Sequence, residues 1–309
     1  MHRRRIARAI ALAITVAAVV VVTTSPAPAL AQSAGPKIYI SADMEGLTGS
    51  VTADQLGPDG FEYATFRRIM TEEVLAAIEG ARAAGAGEIL VSDSHGNGEN
   101  MILDMFPDDI RIVRSWPRPL MMMEGIDESF DGAIFIGYHA GTTNPDGVRA
   151  HTMSSGRLAD VRINGVSVPE AGINAAIAGH FGVPVIMISG DNAIAAEATA
   201  IIGDIETAVV KQAISYHAAM TMTPQAGQDL IRRTAERAVS RIGELSPYLP
   251  ATPLTIDVRF KSYRPSQLLA YLPMFERTDA HAVRFTAKDM LEASRILEFI
   301  LQYGAVLDP

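Results

Sequence analysis

The 309-residue sequence contains no cysteine. That excludes disulfides, thiol catalysis, zinc–thiolate sites and a lipid-modified cysteine anchor. Stability must come from the core, and any metal must be held by His, Asp and Glu together with water. Basic residues are also short, 26 Lys and Arg against 35 Asp and Glu, for a formal charge of −9. Such a field repels polyanions and argues against nucleic-acid binding, while favouring cationic ligands or metal. Internal repeats and low-complexity tracts are missing too. With 48% hydrophobic residues, the chain is too apolar to be disordered.

Only one long apolar run is present, and it lies at the N-terminus. Arg3, Arg4, Arg5 and Arg8 precede Ala9 to Val22, followed by Pro26, Pro28 and Ala29-Leu30-Ala31. This order of basic, apolar and small-residue segments predicts a secretory signal peptide over residues 1–31, hence an exported protein, periplasmic or extracellular. The run is short for a membrane anchor. Cleavage would remove four basic residues and no acid, leaving 278 residues and moving the formal charge from −9 to −13.

Beyond residue 35 the chain alternates strands with helices. Lys37 to Ile40, Glu88 to Val91, Ile110 to Val113, Ala133 to Gly137 and Val183 to Ile188 have strand character. Helical periodicity covers Glu62 to Ala84, Glu170 to His180, Ala193 to Ile201 and Pro224 to Ile242. Asn164-Gly165 between Val161-Arg162-Ile163 and Val166-Ser167-Val168 is a strong hairpin signal. After Pro247, Pro250 and Pro253 come strands at Leu254 to Phe260 and Ala282 to Phe285, then a helix from Lys288 to Tyr303. The pattern predicts an α/β fold: three α/β/α layers around a mostly parallel, mixed sheet. The expected catalytic domain spans 36–245, with a smaller α+β segment at 246–309 packed on it.

The chemistry collects where strands end. The first runs into Asp43-Met44-Glu45-Gly46, where period-two alternation puts both carboxylates on one side. The second runs into Asp93-Ser94-His95, the fourth into Gly137-Tyr138-His139-Ala140, and a later one into Gly190-Asp191-Asn192. Sites in open α/β sheets form beyond the carboxyl ends of strands. Parallel neighbours would bring Asp43, Glu45, His95 and His139 to one crest, a donor set suited to zinc. Taken singly, an Asp after a strand is ordinarily a helix cap or turn residue.

The first three of these segments, with Ala287-Lys288-Asp289-Met290-Leu291-Glu292-Ala293, occur in an order and spacing that resembles the zinc-dependent D-aminopeptidases of the DppA type, peptidase family M55; Asp191-Asn192 departs from the frequent Asp-Asp pair of that pattern. The resemblance runs from about Lys37 to about Tyr303. It implies two zinc ions per subunit, held by Asp43, Glu45, His95, His139 and Glu170, with Asp43 as the expected bridge. It also implies a catalytic histidine, His151, a dozen residues beyond Gly137-Tyr138-His139. The implied activity is removal of N-terminal D-amino acids, D-Ala above all, from short peptides or amides. The implied assembly is a ring-shaped homo-decamer.

Plainer roles stand beside these. An acid such as Glu170 is favoured at a helix start whether or not it binds metal. Asp191 reads as a helix N-cap, and Asp93 either orients His95 or caps a turn. Met121-Met122-Met123 reads as packing material. His180, His217 and His281 are expected to be structural or exposed. Two other functions fit the same residues: a dinuclear hydrolase of phosphoesters or cyclic amides, and an exported metal- or peptide-binding protein without turnover.

Overall fold

The computed structural model describes residues 35–303; the expected export segment at residues 1–31 lies outside them. Strand β1 (Ile38–Ala42) leads through a loop to helix α1 (Tyr63–Ala83), and β2 (Ile89–Asp93), β3 (Arg111–Val113) and β4 (Gly132–Tyr138) follow. Next come the hairpin β5 (Leu158–Ile163) and β6 (Val166–Ser167), α2 (Glu170–His180), β7 (Val185–Asp191) and α3 (Asn192–Ile202). A second hairpin, β8 (Glu206–Ser215) and β9 (Ala218–Thr221), precedes α4 (Pro224–Ser240). The chain closes with β10 (Leu254–Phe260), α5 (Tyr263–Leu269), β11 (Glu276–Arg277), β12 (Ala282–Ala287) and α6 (Met290–Tyr303).

The main sheet has the order β3-β2-β1-β4-β7-β8-β9, parallel throughout except for β9, which runs antiparallel to β8. Strands β1, β4 and β7 are buried along their whole length, as expected of parallel strands covered on both faces. Alternation along β1 assigns the faces. Ile38 and Ile40 join Phe66, Val74 and Ile78 of α1 and Ile231 and Ala235 of α4 in one core. Tyr39 instead joins the core of α2, α3 and α6. The α/β/α layering expected from the sequence is therefore present.

A second, antiparallel sheet has the order β11-β12-β10-β5-β6. Its β5–β6 hairpin turns at Asn164 and Gly165, both at positive φ (51° and 84°), which Asn-Gly adopts readily. Because β10 pairs with β5 from Ile256 opposite Ile163 to Phe260 opposite Leu158, the C-terminal strands share a sheet with the middle of the chain. The boundary expected near residue 245 cuts across this ladder, and the described residues form one compact unit. Strands β8 and β9 and helix α5 had no counterpart in the sequence-based expectation. The β8–β9 hairpin lies at the sheet edge and is half-exposed, so it lacks apolar alternation. Its turn at Tyr216-His217 lacks the usual Gly, Asn or Pro.

Strand order runs outward from β1 to β3 on one side and from β4 to β9 on the other. The reversal between β1 and β4 opens a crevice at their carboxyl ends.

Candidate metal centre

Asp43 continues the β1–β4 ladder by one step, its N–H donating to the Ile136 carbonyl at 2.8 Å. The chain then turns across β4, where the Gly46 N–H donates to the Gly137 carbonyl at 2.7 Å. The approach is close. A Cβ on Gly46 would lie 2.0 Å from the Tyr138 carbonyl oxygen, and one on Gly137, at φ +70°, would lie 2.2 Å from that of Asp43. Two residues without side chains thus let the segments bearing Asp43–Glu45 and His139 touch.

Five of the expected residues and His151 converge in this crevice, all buried. His95 Nδ1 lies 2.8 Å from Asp43 Oδ1 and 2.9 Å from Glu45 Oε2. His139 Nε2 lies 3.3 Å from Asp43 Oδ2 and 3.4 Å from Glu170 Oε1. His151 Nε2 lies 3.8 Å from the same Glu170 oxygen, and its ring stacks on His139 with centroids 4.0 Å apart and planes at 8°. Glu170 also accepts the Met153 N–H at 2.6 Å.

The opposite ring nitrogens decide what this means. His95 Nε2 faces the Leu56 carbonyl at 2.7 Å, His139 Nδ1 that of Ala140 at 3.0 Å, and His151 Nδ1 that of Arg149 at 2.8 Å. A carbonyl only accepts, so each of these nitrogens carries the proton. In the neutral ring the other nitrogen then aims a lone pair at carboxylate oxygens that also only accept. Among the described residues, Asp43 Oδ2, Glu45 Oε2 and His139 Nε2 have no hydrogen-bond partner. A positive charge between them resolves the conflict, either a proton on the ring or a metal ion.

Without metal, protons fill that role. The pKa values of His95 and His139 lie well above the usual imidazole value. Burial opposes this, but the carboxylates outweigh it, Glu45 and Asp43 for His95 and Glu170 and Asp43 for His139. Asp43 is pushed up by burial and by neighbouring Glu45. His151 moves the other way, held below the usual value by burial and by His139 beside it. Two donor groups of the right chemistry for a cation emerge, Asp43–Glu45–His139 and His139–His151–Glu170, the donor atoms of each within 4.8 Å of one another.

The sequence profile of the D-aminopeptidases, peptidase family M55, matches residues 37–299. The chain belongs to this family. A D-aminopeptidase from Bacillus subtilis (strain 168) is 36% identical over 259 residues, spanning 83% of this chain and 93% of the relative. The solved structure of the Zn-dependent D-aminopeptidase DppA from Bacillus subtilis, described as a self-compartmentalizing protease, superposes with a TM-score of 0.81 at 34% identity. That match spans 86% of this chain and 97% of that one.

As an M55 D-aminopeptidase family member, the chain places its crevice at the floor of a cavity of about 320 Å³. Asp43, Glu45, His95, His151 and Glu170 line the floor, and Trp116, Met121, Met153 and Leu301 contribute apolar wall. The methionine run is therefore partly packing, as expected, and partly cavity wall. Asp191 is the N-cap of α3, accepting from Ala193 and Ile194 N–H at 2.9 Å each, and it also accepts the Val148 N–H at 2.7 Å. Asp93 does not touch the His95 ring. It accepts from Asn100 and Met101, fixing the loop that carries His95. His180 and His217 are exposed and His281 partly so. Two contributors escaped the sequence reading: the Met153 N–H, aimed at Glu170 from a residue at φ +64°, and Lys211, buried under the Glu45 loop. For Lys211 the only available signal was a lone lysine closing the apolar run Ala208–Val210.

Proposed function

We propose that this protein is a zinc-dependent aminopeptidase that removes N-terminal D-amino acids, of the D-Ala type, from short peptides or amides. One observation carries the reading: each of three buried imidazoles is tied to a carbonyl through one nitrogen and faces carboxylates through the other. Family membership supplies the metal and the stereochemistry. The two carboxylate oxygens of Asp43 support two ions per subunit, because they face different partners. Oδ1 faces His95, which Glu45 also approaches; Oδ2 faces His139, which Glu170 also approaches. In this reading Asp43, Glu45 and His95 hold one ion, and Asp43, His139 and Glu170 the other.

Zinc held there supplies Lewis-acid polarisation of the scissile carbonyl and makes water a nucleophile at neutral pH. The chain's own residues do the rest. His151 keeps its proton on Nδ1, fixed by the Arg149 carbonyl, so Nε2 is free to take a proton and pass it to the leaving amine. Its depressed basicity keeps that nitrogen unprotonated at neutral pH. The Met153 N–H holds the Glu170 carboxylate in place. Trp116, Met121, Met153 and Leu301 exclude water from one side of the cavity and receive apolar substrate groups.

Two further parts of the reading rest on less of the chain. The basic, apolar and small-residue order at residues 1–31 supports export, where D-Ala-containing cell-wall fragments would be a source of substrate. The relative's description as self-compartmentalizing supports assembly into a closed homo-oligomer, a ring-shaped decamer by resemblance.

The test combines metal analysis with hydrolysis of paired D-Ala-D-Ala and L-Ala-L-Ala by the purified protein, before and after chelation. We expect bound zinc, release of D-Ala only, loss of turnover on chelation and recovery with zinc. A protein that holds no metal and cleaves neither dipeptide overturns the reading. Cleavage of the L-dipeptide alone overturns its stereochemistry.

A further inference from the structure

We propose that Lys211 is a positioning residue for the metal-binding segment, its ammonium group acting as a fixed internal cation that shapes the loop carrying Glu45. The proposal rests on Glu45 being a metal ligand, as set out above.

Lys211 lies on β8, and the loop from Glu45 to Ser50 comes to it from the end of β1. Its Nζ donates to the carbonyls of Glu45 at 2.5 Å, Leu47 at 3.1 Å and Ser50 at 2.5 Å. An ammonium group has three protons, and all three are used. Lys211 is 2% exposed, whereas the other three lysines, Lys37, Lys261 and Lys288, all reach the surface. Burying this charge is unfavourable unless it is fully hydrogen-bonded, and the loop meets that condition.

Viewed from the loop, the arrangement is equally demanding. Three carbonyl dipoles within six residues converge on one point, a geometry that repels itself unless a cation sits there. From other sides, Glu73 of α1 accepts the Thr48 N–H at 2.9 Å and the Thr221 hydroxyl accepts the Gly49 N–H at 2.8 Å. The loop's own bonds are two turn contacts, Leu47 N–H to the Met44 carbonyl at 3.3 Å and Ser50 N–H to the Leu47 carbonyl at 3.1 Å; Lys211, Glu73 and Thr221 hold it from outside. The Glu45 carbonyl belongs to the residue whose carboxylate meets His95, so the direction of that side chain is coupled to the ammonium group one residue-length away. Removing a group that hydrogen-bonds a ligand's side chain typically costs about 10- to 100-fold in metal affinity, and the same order is expected for one that holds the ligand's main chain.

The experiment measures zinc affinity by chelator competition for the full chain and for Lys211→Met, which keeps the length of the side chain and removes its charge. Val74→Ala, which lightens α1 in the adjoining core, serves as a stability control. We expect Lys211→Met to bind zinc about 10- to 100-fold more weakly, with activity recovering at excess zinc and KM little changed. Val74→Ala should lower the Tm and leave zinc affinity alone. Unchanged affinity in Lys211→Met, or an equal loss in Val74→Ala, overturns the proposal. If Lys211→Met yields no folded protein, the 15N resonance of the buried ammonium in the wild type carries the test. It should move when zinc is added, and a stationary signal overturns the proposal. Failure of the wild type to bind zinc would instead strike the metal-centre reading itself.

Discussion

Two hollows of similar size in this molecule each gather carboxylates, and those carboxylates have opposite electrostatic fates. On the open face of the second sheet, a hollow of about 260 Å³ holds Asp160, Asp257 and Asp279. Each has its own arginine: Arg162 at 2.6 Å from Asp160, Arg284 at 2.9 Å from Asp257, and Arg259 against Asp279. At the carboxyl ends of β1, β2 and β4, Asp43, Glu45 and Glu170 are paired with His95, His139 and His151 instead. They meet imidazoles whose free nitrogens point the wrong way for a neutral ring. Guanidinium is a permanent cation, so the first cluster is complete in itself. Imidazole can give up its proton to a bound cation, so the second cluster can exchange protons for metal. Counting acids would not separate the two; the identity of the partner does.

The largest effect should come from a ligand of the proposed centre itself. His139→Ala is expected to lower kcat/KM for a D-alanyl amide by at least about a hundredfold and to reduce bound zinc. Hydrolysis assays and metal analysis on folded protein check this. Retention of more than a tenth of wild-type activity would break the contrast between the hollows.

A buried carboxyl close to the centre sharpens the comparison, because there a proton takes the place of a cation. Burial pushes the Glu73 carboxyl up to about 7 from an ordinary 4.5, against the opposing pull of Thr48 and Lys211, while Glu72 adds slightly to the rise. Between those two values the folded protein keeps a proton that the unfolded chain has lost, so stability falls as pH rises through that window. Glu73→Gln keeps an acceptor for the Thr48 N–H and cannot ionise. Wild-type stability relative to this variant should fall by up to about 3 kcal/mol from pH 4.5 to 7. Parallel denaturation profiles over that range would show that Glu73 does not hold the proton.

The smallest effect belongs to the arginine-matched hollow. Arg284→Ala should leave stability nearly unchanged, as the loss of an exposed pair does, and leave zinc content and kcat/KM unchanged. A loss of activity there would mean that the two hollows communicate.

Much of this was legible in the sequence, for an identifiable reason. Strands β1, β4 and β7 are buried on both faces, so their apolar runs are continuous, and each ends in polar residues that would be out of place in a core. Asp43 and Glu45 follow β1, His139 follows β4 and His95 follows the neighbouring β2, which is why position in the chain already suggested proximity in space. Glu170 and His151 lie on a helix start and in a loop, where an acid or a histidine is unremarkable, and only family resemblance singled them out. The β8–β9 hairpin was illegible because a half-exposed edge imposes no period. Lys211 was hidden with it, since nothing local announces that a lysine will turn inward to meet carbonyls 160 residues earlier in the chain. The expected boundary near residue 245 follows the prolines, which mark a break in local structure, while the pairing of β10 with β5 is long-range.

The crossing of Gly46 over Gly137 bears on how such a centre tolerates change. Neither glycine offers a donor side chain to a metal or a substrate, yet either one, given a methyl group, would drive backbone into backbone. A survey of tolerated substitutions would thus rank both beside the ligands themselves, although their contribution is empty space. Attempts to retune substrate preference have their freedom elsewhere, in wall residues such as Trp116 and Met153, while the separation between the two ligand-bearing segments stays fixed by what those two positions lack.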